Sequence, residues 1–181
     1  MDKSLSKPTI ILHWLTGLLF IGVLAFGLYV EEMPRGPEKF EMLALHKSFG
    51  FTVLVIALMR LFWRLFEGEI SHVAKLTPWQ DMLAKGTHML LLIGTLLMPI
   101  SGIMMSVGGG HGLSVFGFEI FAKADKIEWV GNLGHDIHGP AAWVLIAAIL
   151  LHVIGALKHQ FFDKDGTLAR MLGAKVKSDD Q

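Results

Sequence analysis

The chain has 181 residues, 52% of them hydrophobic and 18% charged, where a soluble domain is usually about 25% charged. Sixteen basic residues balance sixteen acidic ones, so no excess of positive charge points to nucleic acid. The absence of cysteine excludes disulfides, iron–sulfur clusters and thiolate ligands.

The first apolar run, Ile10 to Val30, is close to the roughly 20 residues that span a bilayer. It reads as a retained span rather than a cleaved signal peptide, because no small-residue cleavage site precedes the following "EEMPRGP". His13 lies near its start. The acidic segment "EEMPRGPEKFE" leads into "LHKSFG", which carries His46 and Lys47, and then into the second run, Phe49 to Phe66, with Arg60 and Arg64 near its end. A polar linker, "EGEISHVAKLTPWQDMLAKG", is expected to lie along the membrane surface, with His72 solvated. The third run spans His88 to Val107. After it, "GGGHG" reads as a flexible turn in which His111 is a wet loop residue. "LSVFGFEIF" is apolar enough to rest at the interface or to cap a bundle, and Trp79 and Trp129 suit interfacial anchoring. The fourth run is Ala141 to Leu157. The sequence therefore predicts an all-α, integral-membrane four-helix bundle forming one domain over 1–181, with spans near 10–30, 44–66, 88–107 and 136–160.

Orientation follows from the basic residues. Eleven Lys and Arg lie in the N-terminal tail, around the second linker and in the C-terminal tail; five lie on the other side. This excess places both termini in the cytoplasm.

Ionisable residues inside a span are costly and usually functional. The fourth run contains "HGPAAWVLIAAILLHVIGALKH", with His138, His152 and His159 in steps of fourteen and seven. At about 100° per residue all three share one helix face, and the first two are separated by about 21 Å along the axis. Topology puts His46 and His138 near the outer side, and His13 and His152 towards the cytoplasm. Depth thus yields two stacked histidine pairs sharing the fourth helix. His135, three residues before His138, competes with it for the outer site.

Zinc usually takes four ligands, or three and a water, and no carboxylate accompanies these pairs at depth. A haem needs only two trans ligands from facing helices and an apolar slot. Gly17, Gly50, Ala141, Ala142, Ala147 and Ala148 leave room for flat rings. Without cysteine, attachment is non-covalent, giving two b haems. The competing reading is that the histidines are polar links between helices.

His13 followed by Trp14, "LHKSFG", the fourteen-residue step ending in "LLH", and the tail "KHQFFDKDGTLARM" resemble the bacterial cytochrome b561 family along nearly the whole chain. A more distant resemblance reaches the cytochrome b subunits of hydrogenases and formate dehydrogenases. It implies a four-helix, di-haem membrane cytochrome of the bacterial inner membrane, with ligands at His13, His46, His138 and His152. His138 is preferred over His135 because its spacing to His152 matches the family. The resemblance also implies electron exchange with quinone, ubiquinone or menaquinone, near the inner haem. His159 and His88 are candidate quinone contacts or proton donors, since imidazole titrates near neutral pH. Arg60 and Lys47 are candidate partners of haem propionates. Arg64, like Arg60, also suits snorkelling at the boundary.

Two axial histidines leave no open position on the iron, which favours electron transfer over oxygen binding. The expected activity is that of an oxidoreductase linking quinone to an extracytoplasmic partner. Superoxide as donor is one family precedent. The acidic first loop departs from an anion-collecting surface, although Lys47, Lys123 and Lys126 can form a local basic patch. Quinol oxidation towards a periplasmic acceptor is the alternative, as is a haem-bearing membrane anchor of a dehydrogenase.

Overall fold

The computed structural model describes residues 4–68 and 76–175; His72, Lys3, Lys75 and Lys177 lie outside the described residues. Four long helices, α1 (Lys7–Glu32), α2 (Pro37–Glu67), α3 (Pro78–Gly108) and α4 (Glu128–Lys158), are each long and apolar enough to cross a membrane. Between α3 and α4 stands a short antiparallel hairpin, β1 (Leu113–Val115) and β2 (Phe118–Phe121). A π-helical turn at His159–Asp163 ends the fourth span, and a short helix, α5 (Thr167–Met171), follows.

Every helix outruns its apolar core, and local chemistry explains why. The Ser6 side chain accepts from the Thr9 amide at 3.3 Å, capping α1 with Pro8 in its first turn. Pro37 starts α2 directly after Gly36, so the first connection shrinks to 33–36 and its glutamates sit in helix ends. In α3, Thr77 and Gln80 form a capping box followed by Pro78, so the helix begins ten residues before His88, inside what the sequence suggested was linker. Trp79 and Trp129 are exposed near the starts of α3 and α4.

Outward faces are apolar, with Leu18, Phe62, Trp143 and Ile154 all exposed. In a chain of four spans such faces meet lipid. Inside, α3 packs closely on α4 and α1 on α2, and the close backbone packing of α4 is with α3 rather than with α1 or α2. Phe20, Val53, Met98 and Leu145, one from each helix, form the buried cluster at the middle of the bundle.

That cluster belongs to a regular ladder. Phe20 lies seven residues after His13, Val53 seven after His46, and Leu145 midway between His138 and His152. Gly27, Val53 and Arg60 continue the same step, and α3 repeats it with His88, Thr95 and Gly102. A seven-residue step keeps one face of each helix towards its neighbours in a left-handed bundle. The result is three layers about 10 Å apart: His46 and His138 in one, the apolar cluster next, and His13, Arg60, His88 and His152 in the last.

Close helix approach depends on glycine. A Cβ on Gly134 of α4 would lie 2.7 Å from the Met105 amide and the Ser101 carbonyl of α3, and one on Gly94 would collide with Leu145. Gly86 by contrast faces open space. Gly134→Ala should therefore destabilise the bundle by about 1–3 kcal/mol, the usual cost of overpacking. Gly86→Ala should be neutral or stabilising by up to about 1 kcal/mol through helix propensity. Thermal unfolding in detergent, followed by circular dichroism, checks both signs.

Candidate functional site

The layer on the hairpin side of the bundle, labelled outer after the orientation expected from sequence and opposite the layer labelled inner, sets His46 of α2 against His138 of α4, with ring centroids 6.3 Å apart and planes at 89°. Nδ1 of His138 lies 3.0 Å from the Met98 carbonyl and 3.0 Å from Ser101 Oγ. The carbonyl can only accept, so the Nδ1 proton points to it and Nε2 keeps its lone pair. Ser101 Oγ also donates to the Met98 carbonyl at 2.8 Å, and this hydroxyl is fully buried. Gly102 permits the approach, since a Cβ there would stand 3.1 Å from the imidazole. Gly27 does the same for His46, at 2.7 Å from Cε1. Nδ1 of His46 is buried against the Val23 backbone without reaching full hydrogen-bond geometry.

His135 stands apart from this pair. It is exposed and lines a surface groove with His111, Lys126 and Glu128, while His138 faces His46. His111 likewise sits exposed after α3, in a turn where Gly110 and Gly112 adopt positive φ.

The inner layer sets His13 of α1 against His152 of α4 at 6.1 Å between centroids, with planes at 55°. His88 of α3 packs edge-on against His152 at 5.2 Å. Arg60 Nη2 lies 3.3 Å from Nδ1 of His13. A guanidinium only donates, so in this arrangement Nδ1 accepts and the His13 ring proton sits on Nε2. Binding iron through Nε2 therefore requires Arg60 to release Nδ1.

The two separations fit a metal held between paired imidazoles. A metal–imidazole bond is about 2.0–2.1 Å long and the ring centre lies about 1.1 Å behind the nitrogen, so trans rings are about 6.3 Å apart. The 5.2 Å between His88 and His152 is too short for that role and makes His88 a neighbour of the pair. Gly17 and Gly50 lie one turn from His13 and His46, and a Cβ on either would meet nothing within 4 Å. Both positions leave open space one turn from the histidines, where the flank of a haem macrocycle would fit.

Polar residues close both ends. On the outer end the hairpin folds over α2: the Phe116 amide donates to Ser48 Oγ at 3.0 Å and Phe49 meets Phe116 edge-on at 5.4 Å. "LSVFGFEIF" is thus a cap, with Phe116 held at φ 48°. Lys47 Nζ donates to Ser106 Oγ at 2.9 Å, with Lys123 close enough to act on it electrostatically. On the inner end Trp63 Nε1 donates to Thr9 Oγ1 at 3.0 Å, Thr9 donates to Glu67, and Trp14 Nε1 donates to the Met171 carbonyl at 2.8 Å. Arg64 pairs with Glu67 at 3.4 Å. His159 lies in the π-helical turn, its Nδ1 2.5 Å from Asp165 Oδ2.

Gly27, Gly102, Ser101 and Asp165 were not singled out from sequence. For the two glycines, the fourteen-residue spacing from His88 to Gly102 and from His13 to Gly27 was the available signal.

Comparison with known proteins gives the family. The model of the prokaryotic cytochrome b561 family matches residues 4–174. "Cytochrome b561 homolog 2" of Escherichia coli (strain K12) is 30% identical over 175 residues, covering 92% of this chain and 89% of that protein. "Cytochrome b562" of Cereibacter sphaeroides is 30% identical, over 94% and 96% of the two chains. "Probable superoxide oxidase CybB" of Yersinia pestis is 29% identical, over 97% and 99%. A family match over nearly the whole chain, four apolar spans and histidines facing one another inside them lead to one conclusion: this bacterial multi-pass membrane haem protein belongs to the prokaryotic cytochrome b561 family.

Proposed function

We propose that the protein carries electrons across the bacterial inner membrane between quinone on the cytoplasmic side and an extracytoplasmic redox partner. The observation that carries this reading is the pair of facing histidine couples on one helix, fourteen residues apart. His13 and His152 would hold an inner b haem, and His46 and His138 an outer one. Each haem would supply a one-electron iron couple.

The residues divide the remaining work. Met98 and Ser101 fix the tautomer and direction of His138. With haem bound, Arg60 would pair with an inner propionate and leave the Nδ1 of His13 free to carry a proton. Lys47 is the corresponding cation at the outer layer. His159 contacts the quinone headgroup, ubiquinone or menaquinone, with His88 as the nearest other candidate because its ring already touches His152. Both termini face the cytoplasm.

Superoxide is the outer donor that the site favours. Lys47 and Lys123 put two cations beside the hairpin over the outer layer, and such a patch collects a small anion despite the acidic first connection. Oxidation of superoxide to oxygen releases the one electron that an iron couple can accept. A relative whose printed name is "Probable superoxide oxidase CybB" supports this reading. Reversed flow, from quinol to a periplasmic acceptor, is the alternative, as is service as a dehydrogenase's haem-bearing anchor.

Replacing His46 or His138 by Ala should remove one haem and spare the other, and replacing His13 or His152 should remove the second, as read by haem content and redox titration. Full occupancy in His138→Ala with loss in His135→Ala would overturn the outer assignment. A reporter active only in the cytoplasm should work at the C-terminus, and one inserted near Gly109 should work only outside. The opposite pattern would exchange the inner and outer ends.

A further inference from the structure

The fourth helix does not simply stop at the membrane boundary. Its last turn widens into the π-helical segment His159–Asp163, a form that appears frequently at functional sites. Lys164 then takes φ 51° and Gly166 φ 79°, so the backbone reverses sharply on both sides of Asp165. A non-glycine residue in the left-handed region is held there at some cost, by surrounding structure. The reversal returns Asp165 onto the helix end. Its Oδ2 lies 2.5 Å from Nδ1 of His159, and its Oδ1 accepts from the Thr167 amide at 2.9 Å. Both side chains are largely shielded, at 18% and 16% exposure.

The neighbouring charges leave this contact distinct. Asp163 Oδ2 also approaches His159 Nδ1, at 3.2 Å, but Lys158 Nζ holds its two oxygens at 2.8 and 2.5 Å. Arg170 of α5 is buried and acts on Asp165 electrostatically. Burial alone would raise the Asp165 carboxyl; the Thr167 hydrogen bonds and then His159 outweigh it and hold Asp165 below its usual range. The carboxylate therefore remains an anion at neutral pH, and the shared proton resides on the ring. Together His159, Asp163 and Asp165 bring three ligand atoms within 4.8 Å, as a cation site would. The Lys158 ammonium on Asp163 makes proton transfer the better use of the cluster.

We propose that His159 and Asp165 form an imidazole–carboxylate dyad that exchanges protons between cytoplasmic water and the quinone headgroup. The proposal rests on the quinone reading given above. Reduction of one quinone takes up two electrons, supplied singly by ferrous haem iron going to ferric, and two protons, and converts both carbonyls to hydroxyls. Asp165 accepts the Nδ1–H bond and so fixes the ring, and Nε2 gives one proton to the nearer quinone oxygen while the second proton reaches the other oxygen from cytoplasmic solvent. Cytoplasmic water then restores the proton. Oxidation of quinol runs the same steps backwards.

The test measures stopped-flow reduction of the haems by a soluble ubiquinol analogue, with haem content and quinol affinity recorded for each variant. Asp165→Asn keeps the oxygen that accepts from Thr167 and should load both haems, bind the quinol normally and react about tenfold to a hundredfold more slowly. Asp165→Glu should restore part of the rate, and Asp163→Asn should leave it unchanged. His159→Ala should be at least as slow as Asp165→Asn. If His159→Ala is slow and Asp165→Asn is not, the dyad is wrong and the quinone contact stands. Equal slowing by Asp163→Asn also overturns the dyad. If His159→Ala alters neither rate nor affinity, the quinone contact itself is wrong. Should Asp165→Asn lose a haem, Asp165→Glu decides: a loaded protein with normal quinol affinity, a reduced rate and an altered pH profile supports the dyad, and an unaltered rate and profile overturn it.

Discussion

The bundle depends on a seven-residue step that all four helices keep. Seven residues are almost two turns, so side chains at that interval stay on one face while rising about 10 Å. His13, Phe20 and Gly27 on α1, His46, Val53 and Arg60 on α2, His88, Thr95 and Gly102 on α3, and His138, Leu145 and His152 on α4 all obey it. Antiparallel packing then sorts these positions into two polar layers and one apolar layer. Each facing imidazole pair is completed by another helix: Gly102 and the Met98 carbonyl serve His138, and His88 packs on His152. Inserting one residue between His138 and His152 would rotate one ring by about 100° out of its layer.

The two polar layers are built to different degrees. In the outer one, a carbonyl and a buried serine hydroxyl already orient His138, and small residues admit both rings. In the inner one a guanidinium occupies Nδ1 of His13, and a third imidazole touches the pair. The inner site therefore has a cation that would have to be redirected for His13 to bind a metal through Nε2, whereas the outer site has its proton acceptor in place. The ends of the molecule differ in the same sense. A hairpin resting on Ser48 and Phe49 closes one end, while hydrogen bonds from Trp14 and Trp63 and the reversal around Asp165 close the other.

Much of this was legible in the sequence. Four apolar runs gave the four spans, because hydrocarbon thickness imposes a length that short cores do not. The fourteen-residue step gave the pairing of His46 with His138 and of His13 with His152 before any coordinates, because antiparallel helices fix depth. Helix ends were less legible: α3 starts at Pro78 because Thr77 and Gln80 cap it, and hydropathy does not register a cap. The hairpin was missed as strand because β1 has only three residues and β2 four. Asp165 escaped notice because its approach to His159 depends on positive φ at Lys164, which nothing in "DKDG" requires of a lysine.

Two pairs of imidazoles, each holding one haem within a single chain, are the core of the proposed electron path. Quantifying haem per polypeptide on the purified protein, together with low-temperature electron paramagnetic resonance of the oxidised form, tests it most directly. Two b haems per chain are expected, both low-spin with two imidazole ligands, titrating as two one-electron couples. One haem per chain, or a signal from an iron with an open or non-histidine axial position, would contradict it.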